Sequence, residues 1–285
     1  MRRIRITLAF AVVGAAAFTG IGAAGGGGPA PGVALGWDGI AAPSGVRYVA
    51  LAAGERTVVA VVRRNGGSIV RYGSVPGILG VPLVAFDGTP GGLSRDGRTL
   101  VLSSFTGGPE PAARTTFAIV RTPGIRLQRL VTLAGSYSFD ALSPDASTLF
   151  VVEYLTANGT RYRVRMIDLR TGRLLPRVIA EKGVTTMSGQ ALTRATSPDG
   201  RWAYTLYRSP EATAFVHALD TVRRQAICIE LPWRGEAQNG LEVAGLSLDP
   251  RGRMLTVRQP GVGTLATVDT RAYRVTVSRR PVAVS

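Results

Sequence analysis

Apolar residues in this chain gather in short runs, such as 148–154 and 202–207, separated by clusters of Ser, Pro, Asp and Gly. Runs of this length, rich in β-branched and aromatic residues and bounded by turn formers, predict strands. The chain holds 36 Gly and 17 Pro scattered along its length, which leaves little room for long helices.

The pattern repeats. The clearest unit, Ala195-Thr196-Ser197-Pro198-Asp199-Gly200-Arg201-Trp202-Ala203-Tyr204, recurs as Gly92-Leu93-Ser94-Arg95-Asp96-Gly97-Arg98-Thr99-Leu100 and as Ala141-Leu142-Ser143-Pro144-Asp145-Ala146-Ser147-Thr148-Leu149. Weaker copies are Ser247-Leu248-Asp249-Pro250-Arg251-Gly252-Arg253 and Ala50-Leu51-Ala52-Ala53-Gly54-Glu55-Arg56. With Ala52, Ser94, Ser143, Ser197 and Asp249 as anchors, the spacings are 42, 49, 54 and 52 residues. Most helical solenoids have a shorter period, and four-stranded blades fit this one. In the clearest unit Pro198 sets φ at the first turn position and Gly200 takes positive φ, which closes a tight hairpin. A second strand follows, then a third ending in Asp168, Asp220 or Asp269, and then a mixed outer strand such as 174–180 or 225–231.

These residues resemble TolB-like and YVTN-type β-propeller repeats, in which a Ser-Pro-Asp-Gly-Arg turn precedes a buried strand and an Asp closes the third strand. The resemblance covers residues 45–285 and implies an all-β fold, a propeller of about five four-stranded blades with six as the alternative. It implies no single function, because such propellers include binding modules, scaffolds and enzymes. The chain departs from the family in lacking the YVTN tetrapeptide, in its longer blades, and in a first copy without Pro and Asp.

Before the repeats, Met1-Arg2-Arg3-Ile4-Arg5 is a positive start, residues 6–18 are an apolar run, and Gly22-Ala23-Ala24 supplies small residues. That is the layout of a secretory signal, cut after Ala24. An uncleaved membrane anchor is the alternative, and the lack of Cys excludes a lipoprotein. The expected organisation is a signal peptide at 1–24, a Gly/Pro-rich linker at 25–44, and a propeller at 45–285. Residues 33–37 are expected to close the ring against 275–284. Gly20-Ile21-Gly22-Ala23-Ala24-Gly25 matches a dinucleotide-binding pattern in form only, because neither a strand nor a helix frames it. Asn158-Gly159-Thr160 reads as a turn despite its sequon form.

The formal charge is +16, and 33 of the 34 basic residues are Arg, Lys182 being the exception. A strongly basic domain can signal nucleic acid, but these Arg are dispersed and form no aromatic–basic platform. Specific nucleic-acid binding is therefore not expected. A weak, salt-sensitive contact with acidic envelope polymer or a membrane surface fits the charge.

With one His and one Cys, the chain cannot assemble a zinc site of the usual kind. His217 falls in mid-strand and Cys228 between Ile227 and Ile229, so packing roles are expected for both. No GxSxG, SxxK or Walker A sequence is present. Recurrent Asp residues (Asp96, Asp145, Asp199; Asp168, Asp220, Asp269) read as turn formers. Non-recurring polar residues where inner strands begin, Asp87, Asp140, Arg194, Asn239 and Glu242, are the candidate ligand-binding residues of a channel mouth. Carboxylates and an amide there would suit Ca²⁺; otherwise they are solvated, or Arg194 pairs with Asp140. The reading is a secreted, monomeric binding module without catalysis, its partner an unknown protein or small molecule. The alternatives are a calcium-assisted lactonase-like hydrolase using Asp87, Asp140 and Glu242, and a structural component of the cell envelope.

Overall fold

The computed structural model describes residues 31–105, 112–156, 161–179, 185–209 and 211–284. The signal-peptide region, the GxGxxG match and the Asn158 sequon lie outside them. Among the described residues, no helix is long and apolar enough to cross a membrane.

Five antiparallel sheets follow one another along the chain, each built from the inside outwards, and together they form a five-bladed propeller. Blade 1 comprises Gly36–Ala41, Val46–Ala53, Arg56–Arg63 and Ile69–Pro76. Blade 2 comprises Leu79–Pro82, Thr99–Ser104, Arg114–Arg121 and Arg126–Ala134. Blade 3 comprises Tyr137–Leu142, Thr148–Tyr154, Arg161–Asp168 and the short Arg173–Leu174, with Met187–Ser188 pairing on the start of its third strand. Blade 4 comprises Gln190–Thr196, Trp202–Arg208, Thr213–Asp220 and Gln225–Arg234, and blade 5 Gly245–Leu248, Met254–Gln259, Gly263–Asp269 and Arg274–Val277.

The turn between the first two strands explains the repeat. In blade 4 the Ser197 hydroxyl accepts the Trp202 N–H (2.8 Å) and donates to Asp199, which accepts the Arg201 N–H (3.1 Å). Ser94 with Asp96 and Ser143 with Asp145 form the same relay in blades 2 and 3. In blade 5 Asp249 stands in for Ser and takes the Met254 N–H directly, at 2.7 Å.

Blade 1 corrects two expectations. Its first turn is Ala42-Pro43-Ser44-Gly45, where the Ala42 and Gly45 N–H groups make the backbone bonds that Ser94 and Gly97 make in blade 2. Ala53-Gly54-Glu55-Arg56 joins the second and third strands instead. With Ala42 as the anchor, the first spacing becomes 52 rather than 42. The innermost strand is thus Gly36–Ala41, inside the segment expected to be linker. Nor do residues 33–37 pair with the C-terminus: Val33 and Ala34 pair with Pro82 and Val81 on the inner edge of blade 2.

Apolar clusters fill the interfaces between blades 1 and 2, 2 and 3, 3 and 4, and 4 and 5. Each strand presents alternate residues to its two neighbours, and burying both faces makes a blade part of a continuous core.

Candidate functional site

The inner strand of blade 2 stops at Pro82, leaves the sheet, and regains it where Leu93 bridges Leu100. The excursion crosses the centre of the ring. The N–H groups of Phe86 and Asp87 donate to the carbonyls of Ala191 (2.9 Å) and Leu192 (3.0 Å) in the inner strand of blade 4, and Ala85 is buried in the core between blades 3 and 4. This plug returns through Gly91, where a Cβ would fall 2.6 Å from Val84 and 2.7 Å from Phe139, so no larger residue fits. Asp87 sits at the exposed tip, its carboxylate accepting the Thr89 N–H (2.9 Å) and hydroxyl (2.6 Å).

Asp140 lies in a β-bulge of the inner strand of blade 3, between Phe139 and Ala141. A bulge re-aims the side chain it carries. The side chain points at Arg194, on the inner strand of blade 4, whose guanidinium donates to both the carbonyl and the carboxylate of Asp140. Arg194 Nε donates to Thr205 Oγ1 at 2.9 Å. The two side chains are only 6% and 3% exposed, so the pair is desolvated and largely satisfied from within.

Around the pair lies a polar and aromatic layer. Ser138 Oγ and Tyr154 Oη are hydrogen-bonded at 3.0 Å. Tyr207 stacks on Phe215 at 5.0 Å and meets the edge of His217 at 6.2 Å. Burial, partly opposed by nearby Asp140, pushes the His217 imidazole down to about 4, and its Nε2 has no hydrogen-bond partner. The ring is buried, and its Nδ1 lies 4.0 Å from the Cys228 Sγ on the neighbouring strand. Burial also raises the Tyr154 and Tyr207 hydroxyls, keeping them protonated.

Asn239 and Glu242 lie on the opposite face, in the segment linking blades 4 and 5. Asn239 Oδ1 accepts from Arg208 at 3.1 Å, and Glu242 Oε2 accepts the Gly240 N–H at 2.9 Å. Of the five candidates, Asp140 and Arg194 are brought together, while Asp87, Asn239 and Glu242 each serve a separate local partner. Among the described residues, no group of three His, Cys, Asp or Glu is placed to hold a metal ion.

A cavity of about 380 Å³ opens above the Asp140–Arg194 pair. It faces the end of the ring where the inner strands finish and the Ser-Pro-Asp-Gly turns lie, opposite the end expected. Its wall includes Ile40, Gly92, Phe139, Ala141, Thr196 and Pro198, mostly apolar surface over one charged pair. Arg95 at its rim donates to the Pro198 carbonyl at 3.1 Å, joining the turns of blades 2 and 4 across the mouth.

No protein-family model matches the sequence, and a search of curated proteins finds no match. Solved structures do resemble it. A functionally unknown protein from Desulfotomaculum acetoxidans aligns over 87% of this chain and 71% of its own, with a TM-score of 0.52 and 10% identity. TolB from Acinetobacter baumannii aligns over 84% of this chain and 53% of its own, with a TM-score of 0.48 and 13% identity. The Dos1 propeller aligns over 82% and 55%, with a TM-score of 0.48 and 10% identity. This chain thus matches about half the length of the latter two. At such identities the likeness is one of fold.

Proposed function

We propose that this β-propeller is an extracytoplasmic binding module without catalysis, which receives its ligand in the central cavity on the turn face. The plug carries the reading: it crosses the ring to blade 4 and leaves the cavity open at the end where the turns converge. A cavity of this size, apolar with a few converging polar groups, suits a small organic ligand or the side chain of an inserted peptide. Arg194 and Asp140 would act there as a rigid floor, because their hydrogen bonds are made to each other and to Thr205. Export rests on the signal-like layout of residues 1–24.

The test uses the chain from Gly25 onward in a thermal-shift screen of small molecules and short peptides. Hits are repeated on Thr196→Trp, which fills the cavity from an exposed wall position. Ligands that stabilise the parent and not the variant support the reading. Ligands that stabilise both equally place binding elsewhere and overturn it.

A further inference from the structure

A second cleft, of about 540 Å³, lies on the same face between blades 4 and 5. Four turns line it, and they bring Arg201, Arg223, Arg251, Arg253 and Arg271 together with one acidic residue, Asp199.

Neighbouring acids do not consume four of these arginines, because the turn carboxylates are engaged mainly with backbone. Asp220 accepts the N–H groups of Val222 (3.0 Å) and Arg223 (2.9 Å). Asp269 accepts those of Arg271 (2.8 Å) and Ala272 (2.9 Å), and Asp249 that of Met254 (2.7 Å). Asp249 and Asp269 thus fix the backbone beneath an arginine and leave the guanidinium outside, while Asp220 holds both backbone and Arg201. Arg223, Arg251, Arg253 and Arg271 are exposed, and none takes part in an ion pair among the described residues. Arg201 differs: buried Asp220 holds it, and it lies over the Trp202 ring, 5.5 Å from the centroid, so its plane is set in advance.

We infer that this cleft binds a compact ligand bearing more than one phosphate group. Guanidinium forks match the oxygens of phosphate in pairs. A phosphate also carries up to about two charges where a carboxylate carries one, which suits several unpaired forks around so small a volume. The cleft shares only the Ser197-Pro198 turn with the central cavity, and binding there does not require a ligand in that cavity.

Isothermal titration of the chain from Gly25 onward uses sodium tripolyphosphate as the probe, with citrate and anionic phospholipid vesicles as comparison arms. Saturable tripolyphosphate binding is expected, weakened at least tenfold in Arg251→Gln/Arg253→Gln/Arg271→Gln. A control, Arg114→Gln/Arg161→Gln/Arg234→Gln, removes equal charge from exposed positions at the other end of the blades and is expected to bind within twofold of the parent. Thr196→Trp is expected to bind as the parent does. Equal losses in the two triple variants would mean diffuse attraction and overturn the proposal. So would citrate binding as tight as tripolyphosphate, binding to vesicles alone, or no binding.

Discussion

The central cavity and the cleft between blades 4 and 5 lie on one face and are both built over arginine, yet they use it oppositely. Arg194 is desolvated, aimed by two inner strands, and bonded to Asp140 and Thr205. In the cleft, Asp249 and Asp269 give their carboxylates to backbone N–H groups, Asp220 divides its own between backbone and Arg201, and four arginines have no ionic partner among the described residues. Where the acid meets the guanidinium, the charge holds the fold together. Where it meets the backbone, the charge is left for something outside.

That contrast breaks first at Arg194. Arg194→Met strands a buried carboxylate, which costs about 3–5 kcal/mol. The double variant Arg194→Met/Asp140→Leu is expected to recover most of the loss, and urea unfolding of both checks this. Should the single variant be as stable as the parent, the pair is not structural.

Next is pH. His217 is held down to about 4 by burial against an ordinary value near 6.5. Its folded form resists the proton, so stability is fully present above about 6.5 and is lost as pH falls towards 4. Between pH 7 and pH 5 the loss is about 2 kcal/mol. His217→Phe should remove that part of the slope in urea midpoints measured at the two pH values.

A smaller effect belongs to the turns. Asp145→Ala loses the bonds from Ser143 and Ser147 and costs about 1 kcal/mol. The Ser143 hydroxyl, first among several hydrogen bonds, holds this carboxyl below its ordinary value. Its contribution is therefore present above the usual Asp range and lost below it, so the variant should flatten the acid limb of the stability profile.

Smallest is Arg253→Gln in the cleft, expected within about 0.5 kcal/mol of the parent in thermal unfolding because no folded contact of its guanidinium is lost. A larger loss would put that arginine in the structural class and shrink the binding set.

Much of the frame was legible in residues. Three relays come from one Ser-x-Asp pattern, and the Asp249 variant keeps its place; their hydrogen bonds are local, so blades 2 to 5 could be placed from sequence. Blade 1 was misplaced because Ala42-Pro43-Ser44-Gly45 lacks the Ser-to-Asp relay, while Gly54-Glu55 makes a hairpin that mimics it. The plug was invisible because Phe86 and Asp87 find their acceptors at Ala191 and Leu192, more than a hundred positions along the chain, and nothing near them signals it. The Asp140–Arg194 pair was foreseeable as the alternative to a ligand site. The arginine cleft was missed for a different reason. The Arg residues are dispersed along the chain, and only the three-dimensional meeting of neighbouring turns shows them converging.

The distinction between spent and available arginine can be observed directly through the Nε–H signals of arginine in a nitrogen-15 spectrum, with and without tripolyphosphate. A slowly exchanging Arg194 signal that does not move is expected, with shifts confined to Arg201, Arg223, Arg251, Arg253 and Arg271. A moving Arg194 signal, with those of the cleft unchanged, would contradict the distinction.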